Sequence, residues 1–337
     1  MKIVLIGFGT VGQGLVQILR DKGASLKQDY GFEAHIVGVA TRSRGTLLSQ
    51  TGLDAGALLT AIDHGSLDHY EGHDFQRGLP IVELIRHSGA DVLVEASPTN
   101  FETGQPSLDY CLTALNHKMH VVLANKGPVA VGYDVLMQVA SSAGKRVLFE
   151  GTVMAGTPTL RLGMQALAGC TISKARGILN GTTNYMLTQM ESGVAYADVL
   201  AEAQRLGYAE ADPTADVDGW DAAGKAIILA AALFKKTLTF ADMQVSGISR
   251  LTPDDIAAAK AAGERWKLIA EVTSNGGSVQ PVRIPLNHPL AGVSGTTNAV
   301  TFTTDLLGDV TLVGSGAGRL QTGFGLLADL LDLHRCT

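Results

Sequence analysis

The sequence predicts an α/β fold, with a doubly wound parallel sheet in the first part of the chain and a second, mixed α+β domain after it. Three observations carry that expectation. Short apolar runs alternate with longer segments of helical periodicity through the first half of the chain. A glycine-rich turn follows the first apolar run, and the second half mixes helices with strand candidates that no longer alternate regularly.

Lys2–Ile6 is a short apolar run stopped by Gly7 and reads as the first strand. Val11, Leu15, Val16, Ile18 and Leu19 then recur at helical spacing and supply one apolar face. Ile36–Ala40 is the next strand, Asp91–Glu95 and His120–Ala124 are two more, Gln105–His117 is a helix between those two, and Val147–Glu150 is a further short strand. Parallel neighbours require such crossovers, because the chain must return to the same end of the sheet. Thr46–Ile81 is less periodic, and its Gly, Asp and His residues predict an irregular excursion outside the sheet. His64, His69 and His73 invite a metal reading, but their spacing gives no ligand geometry, so a surface loop is the favoured reading.

In the second half, Thr157–Leu167 starts a helix with Pro158 tolerated in its first turn. Thr171–Gly177 leads to the polar turn Asn180-Gly181-Thr182-Thr183-Asn184. Thr183–Glu191 and Tyr196–Leu206 read as helices, Gly207–Gly219 as a polar loop, and Trp220–Leu233 as an alanine-rich helix. Val245–Ile248, Leu268–Val272 and Val279–Pro285 are strand candidates. The expected division is 1–130 for the first domain, 131–305 for the second, and 306–337 for a segment returning to the first.

A chain of 337 residues has room for two packed domains, and 46% hydrophobic residues supply their cores. The net charge of −6, with scattered basic residues, gives no footprint for nucleic acid. No apolar run approaches the roughly 18 residues of a membrane span, and Ala226–Phe234 is stopped by Lys235-Lys236. The opening residues read as a strand and not as a cleavable leader. Cys111, Cys170 and Cys336 are far apart, which predicts free thiols and a cytoplasmic protein.

Gly7-Phe8-Gly9-Thr10-Val11-Gly12 stands between the first strand and the first helix, where a Rossmann-like sheet binds a dinucleotide. The first glycine permits the tight turn, the second lets main chain approach a pyrophosphate, and the third lets helix and strand pack closely. At the end of the second strand, NAD sites commonly carry an acid; this chain has Thr41-Arg42-Ser43-Arg44. Arg42 and Arg44 can fork onto a 2′-phosphate, which favours NADP and leaves NAD open; the competing reading is that both arginines face solvent.

Lys126 follows the apolar strand His120–Ala124, and the carboxyl end of such a strand lies near a bound nicotinamide, so it is a candidate reactive group beside the blander reading of a turn lysine. Glu210, Asp212, Asp216, Asp218 and Asp221 form an acidic tract that serves either helix capping and solubility or the ammonium of an amino-acid substrate. Asp221 and Lys225 stand four apart and share one helical face.

Together these segments resemble homoserine dehydrogenase of the short form, over essentially the whole chain. The resemblance rests on the glycine turn, Ala124-Asn125-Lys126-Gly127-Pro128, Gly177–Tyr185, Gly207–Pro213, Asp216–Asp221 with Lys225, and Gly314–Gly318 with Thr322. It implies a fold with a substrate-binding and dimerisation domain, and oxidation of L-homoserine to L-aspartate 4-semialdehyde or its reverse, in threonine and methionine biosynthesis. It implies catalytic roles for Lys126, Asp221 and Lys225, and substrate contacts at Glu210, Asp216, Gly181 and Thr182. Cofactor contacts are implied at Gly7, Phe8, Gly9, Thr10, Val11, Gly12, Gly316 and Thr322. A structural sodium ion is implied at Glu150, Val153, Ala155 and Thr157, where Met154 departs from the small residue of many members. A homodimer is also implied, as is freedom from threonine feedback through a C-terminal sensing domain. The alternatives are a related dehydrogenase for another small hydroxy compound and, further off, a non-catalytic NADP-binding sensor.

Overall fold

A computed structural model describes residues 1–336, and the chain divides into two units: Met1–Gly156 with the segment from Gly318, and Thr157–Ala317. The first unit is built as β1 (Lys2–Ile6), α1 (Thr10–Tyr30), β2 (His35–Ala40), β3 (Thr46–Leu48), α2 (Ala55–Asp63), β4 (Gln76–Arg77), α3 (Ile81–His87), β5 (Val92–Glu95), α4 (Ser107–Asn116), β6 (His120–Leu123), α5 (Lys126–Ala143) and β7 (Val147–Leu148). Its sheet has the order β4-β3-β2-β1-β5-β6-β7. The run from β2 to β7 is parallel, while β3 and β4 add antiparallel to the edge.

Both faces of this sheet are covered, so β1 and β5 read as continuous apolar runs and not as alternating ones. The order reverses at β1, whose neighbours are β2 and β5, and the carboxyl ends of β1 and β5 therefore border the crevice where open α/β sheets bind ligands. The stretch Thr46–Ile81 is not the irregular excursion expected from its composition. It contains β3, α2 and β4; Asp54 caps α2 by accepting from the Ala57 N–H, and Leu58 and Ile62 bury its apolar face. His64 and His69 meet edge to face in this region.

The second unit contains α6 (Thr159–Arg161, continuing as a wide turn Leu162–Ala166), β8 (Ile172–Ile178), α7 (Gly181–Met190), α8 (Tyr196–Arg205), α9 (Thr214–Val217), α10 (Trp220–Phe234), β9 (Met243–Val245), α11 (Pro253–Ala261), β10 (Glu264–Thr273), β11 (Gly276–Pro285), β12 (Thr297–Thr304) and β13 (Gly308–Ser315). These strands make a sheet of order β13-β12-β8-β10-β11-β9, antiparallel except where β9 joins β11. The alanines of α10 let it pack closely on β8, β10 and β11, and Ala222–Ala232 are buried along it.

The last described helix, α12 (Arg319–Arg335), belongs to the first unit and packs along α1. The division therefore falls after Gly156 and before Gly318, not at 130/131 and 305/306. The reason is local. α5 packs on α4, and β7 pairs with β6, which keeps both with the first sheet. β13 pairs along its whole length with β12, which keeps it with the second.

Candidate functional site

In the first unit, Gly7 ends β1 with φ +91°, a left-handed conformation, and its N–H donates to the Ala40 carbonyl at 2.8 Å. A Cβ on Gly12 would overlap the Gly7 carbonyl, so only glycine lets α1 start this close to the turn. No side chain caps the first turn of α1, where Gly9 is the N-cap, and a Cβ built on Gly9 would meet nothing within 4 Å. The result is main chain, open space and a helix N-terminus, a cradle suited to a pyrophosphate. Phe8 is buried beneath this cradle, and Val11 packs onto the same core.

Arg44 Nη2 donates to the Phe8 carbonyl at 3.1 Å, which ties the loop after β2 to the glycine turn. Thr41 Oγ1 accepts from the Arg44 N–H at 2.8 Å and shapes that loop, in which Arg42 is exposed. Both arginines thus stand in the loop after β2, with Arg44 beside the cradle.

Lys126 is the first residue of α5, and the preceding Asn125 is its buried cap. Asn125 Oδ1 accepts from the Gly127 N–H at 3.0 Å, while its Nδ2 donates to Ser107 Oγ at 2.9 Å and to the Pro98 carbonyl at 3.2 Å. Ser107 and Ser97 share a hydroxyl bond of 2.9 Å, and the Ser97 N–H donates to Glu95 Oε1 at 2.7 Å. Glu95, at the end of β5, is fully buried, and burial holds its carboxyl above the usual range. Glu95, Ser97 and Ser107 are functional candidates absent from the sequence reading; a charged residue closing an otherwise apolar strand was the available signal.

In the second unit, Asn180 caps α7 by accepting from the Thr183 N–H at 2.9 Å. Its Nδ2 donates to Asp216 Oδ1 at 2.6 Å and to Asp221 Oδ2 at 3.0 Å. Lys225 Nζ donates to the same Asp221 oxygen at 2.6 Å and to the Leu179 carbonyl at 2.7 Å. The side chains of Lys225 and Asp221 are only 10% and 16% exposed, so this ion pair is shielded from water and salt. Burial, and then the neighbouring Asp221 charge, raise the Asp216 carboxyl above its usual range, while Asn180 opposes that shift.

The four-residue spacing of Asp221 and Lys225 thus becomes a bonded pair. Asn180 is the residue that spacing does not reveal, since it is 36 and 41 positions from its two acids. Gly181 and Thr182 open α7 beside this cluster, with Thr182 Oγ1 donating to the Tyr208 carbonyl at 2.7 Å. Glu210 is exposed, and its carbonyl accepts from Gln204 Nε2 at 3.0 Å. The Gly207–Gly219 loop includes α9, which carries Asp216.

Glu150, Val153, Ala155 and Thr157 lie close together in the chain, around Met154 and Ala155, whose φ values of +57° and +54° are both left-handed. Glu150 is buried, and its N–H donates to Asp329 Oδ2 at 2.9 Å. Gly316 follows β13, and Thr322 lies in the first turns of α12, with its N–H donating to the Gly318 carbonyl at 2.9 Å. Among the described residues no helix is long and apolar enough to cross a membrane.

Two family patterns match the chain: "Homoserine dehydrogenase, NAD binding domain" over residues 7–150 and "Homoserine dehydrogenase" over residues 158–331. An NAD(+)-dependent homoserine dehydrogenase of Pseudomonas canavaninivorans is 42% identical over 340 residues, covering 99% of this chain and 96% of the relative. The crystal structure of a putative homoserine dehydrogenase from Archaeoglobus fulgidus superposes with a TM-score of 0.89 at 35% identity, covering 99% of each chain. A hyperthermophilic archaeal homoserine dehydrogenase in complex with NADPH superposes with a TM-score of 0.86 at 30% identity, covering 100% of this chain and 98% of the other.

Proposed function

The chain belongs to the homoserine dehydrogenase family, and on that premise we propose an NADP-preferring enzyme with Lys126, Asp221 and Lys225 as its catalytic residues. It is an NAD(P)-dependent oxidoreductase that interconverts L-homoserine and L-aspartate 4-semialdehyde in amino-acid biosynthesis. The observation that carries the residue assignment is the Asn180-centred network, in which one amide bonds two carboxylates and one of those carboxylates bonds the Lys225 ammonium.

Gly7, Phe8, Gly9, Thr10, Val11 and Gly12 would hold the pyrophosphate of the cofactor, whose nicotinamide would supply or take up the hydride. Lys126 or Lys225 serves the substrate oxygen. As the aldehyde is reduced, negative charge grows on that oxygen, and a lysine ammonium stabilises it and donates the proton. Asp221 fixes the Lys225 ammonium by the 2.6 Å bond. Asp216 and Glu210 receive the substrate ammonium, and Gly181 and Thr182 at the start of α7 border the bound amino acid. Gly316 and Thr322 complete the cofactor contacts.

The NADP preference is supported by Arg42 and Arg44 at the end of β2, where an acid would repel a 2′-phosphate. It is also supported by the NADPH complex of the archaeal relative. The NAD(+)-dependent relative favours the other reading, so the choice is open to measurement. A sodium ion at Glu150, Val153, Ala155 and Thr157 is supported by the buried Glu150 carboxylate and by the two successive left-handed residues beside it, a conformation that side-chain-bearing residues hold only when their surroundings enforce it. A homodimer through the second sheet is supported by Leu306, Leu307 and Val313, which are exposed on the edge hairpin of β12 and β13.

The test is an absorbance assay of the purified protein in both directions, with NAD and NADP compared in parallel. NADP should give the higher kcat/KM, and Arg42→Ala with Arg44→Ala should erase the difference. An equal or greater kcat/KM with NAD rejects the preference. No turnover of homoserine with either cofactor rejects the activity itself.

A further inference from the structure

Asn298 is fully buried, and neither its side-chain nitrogen nor its side-chain oxygen has a hydrogen-bond partner. Buried amides are almost always paired, because an unsatisfied donor or acceptor retains its full desolvation penalty. A wholly unpaired amide of this kind calls for a physical reason.

Its position supplies one. Asn298 stands near the start of β12, opposite Gly314 of β13 and one residue before the Ala299–Ile178 pair with β8. β8 leads from there into the Asn180–Thr182 turn, and β13 leads into Gly316. A Cβ on Gly316 would overlap the Asn298 amide, and a Cβ on Gly181 would come within 3.4 Å of its Oδ1. One primary amide therefore lies against the main chain of two segments, the proposed substrate turn and the proposed cofactor segment. An amide carries both a donor and an acceptor, the complement of a main-chain carbonyl and N–H.

We propose that Asn298 is a positioning residue for ligand binding, its amide taking up hydrogen bonds to the main chain of the Gly181 turn and the Gly316 segment when homoserine and nicotinamide cofactor are bound. The inference rests on the assignment of those two segments under the proposed function. Ligand binding adjusts the two segments, pairs the amide, and returns the desolvation penalty as affinity.

The test exploits opposite signs. Asn298→Leu keeps the size and branching of the side chain but removes both polar atoms. The ligand-free Tm of N298L should equal or exceed that of the parent protein, because the buried orphan is gone. The KM for homoserine should rise by about tenfold or more, as expected for the loss of one or two hydrogen bonds, with a smaller change in kcat. The Tm increase on adding homoserine with cofactor should shrink in the same variant. A parent-like KM in N298L overturns the proposal, and so does a fall in ligand-free Tm, which would assign the amide to the resting fold. Asn298→Ala carries the same KM reading if the leucine does not fit, and failure of both variants to fold also overturns it. The parent protein is assayed first: if it does not turn over homoserine, the functional reading has failed, whereas turnover by the parent with an unchanged N298L removes Asn298 alone.

Discussion

In the first unit, the crevice at the ends of β1 and β5 is lined by main chain: Gly7 and Gly12 exclude side chains, and the first turn of α1 has no side-chain cap. In the second, the space beside α7 and α10 is lined by acidic and basic side chains held in place by one amide and one carbonyl. The first arrangement recognises a phosphate group common to many ligands, and its donors are fixed by backbone conformation. Under the proposed function the second would distinguish one small molecule, and its groups are held in place by partners far away in the chain. The comparison teaches that a glycine cradle fails by steric intrusion, whereas a charge cluster fails by losing one partner.

The largest effect should follow Lys225→Ala. It removes an ammonium that is fixed by Asp221 and the Leu179 carbonyl, and kcat should fall by about 10²–10⁴-fold, the usual range for a lost general acid. Cofactor affinity, measured by nicotinamide fluorescence, should change little, since the cradle belongs to the other unit. Equal losses of kcat and cofactor affinity would dissolve the contrast drawn above.

A middle effect is expected from Gly12→Ala. The added methyl meets the Gly7 carbonyl, and the turn or the helix must shift. Overpacking of this kind costs about 1–3 kcal/mol, so the Tm should drop by several degrees and the cofactor Kd should rise together with the KM for cofactor. An unchanged Tm and Kd would mean that the turn is softer than its geometry implies.

The smallest effect sharpens the comparison by placing a titrating group beneath the first unit's crevice. Burial raises the Glu95 carboxyl, so the folded chain binds that proton more tightly than the unfolded chain does. Its contribution is fully present below the ordinary carboxyl pKa and is lost as pH rises from there toward the raised folded value. Glu95→Gln cannot ionise and retains an acceptor for the Ser97 N–H. Its Tm relative to the parent should therefore climb through the mildly acidic range and then level off. A Tm difference that ignores pH would show that Glu95 has the same proton affinity folded and unfolded.

The parallel strands and the glycine turn are legible in the sequence because each is specified by a few adjacent residues. The apolar runs at Lys2–Ile6 and His120–Leu123 leave no other face to solvent, and the turn chemistry follows directly. By contrast β3 and β4 span three and two residues, too short for any period, and exist through antiparallel pairing to β2 and to each other. β12 mixes asparagine and threonines among its apolar residues, and β13 lies at the sheet edge, so their apolar signal is weak. α11 left a usable trace that the reading did not take up: Thr252 and Asp255 form a capping box around Pro253. The Asp221–Lys225 pair is legible from one helical turn. The bonds of Asn180 to Asp216 and Asp221, and the serine bridge between Glu95 and Asn125, are products of tertiary folding that no local spacing encodes.

The first unit is interrupted in the chain. Leu326, Leu327, Leu330 and Leu333 of α12 belong to the same apolar cluster as Ile3, Leu15 and Val16. On a ribosome adding roughly 5–20 residues per second, the nascent first sheet therefore waits on the order of ten seconds for the helix that seals it. During that interval the greasy flank of α1 is bare while the intervening unit is still being threaded out. Biogenesis thus runs inside out: the piece translated first is finished last, and a holdase that shields α1 would act in that gap.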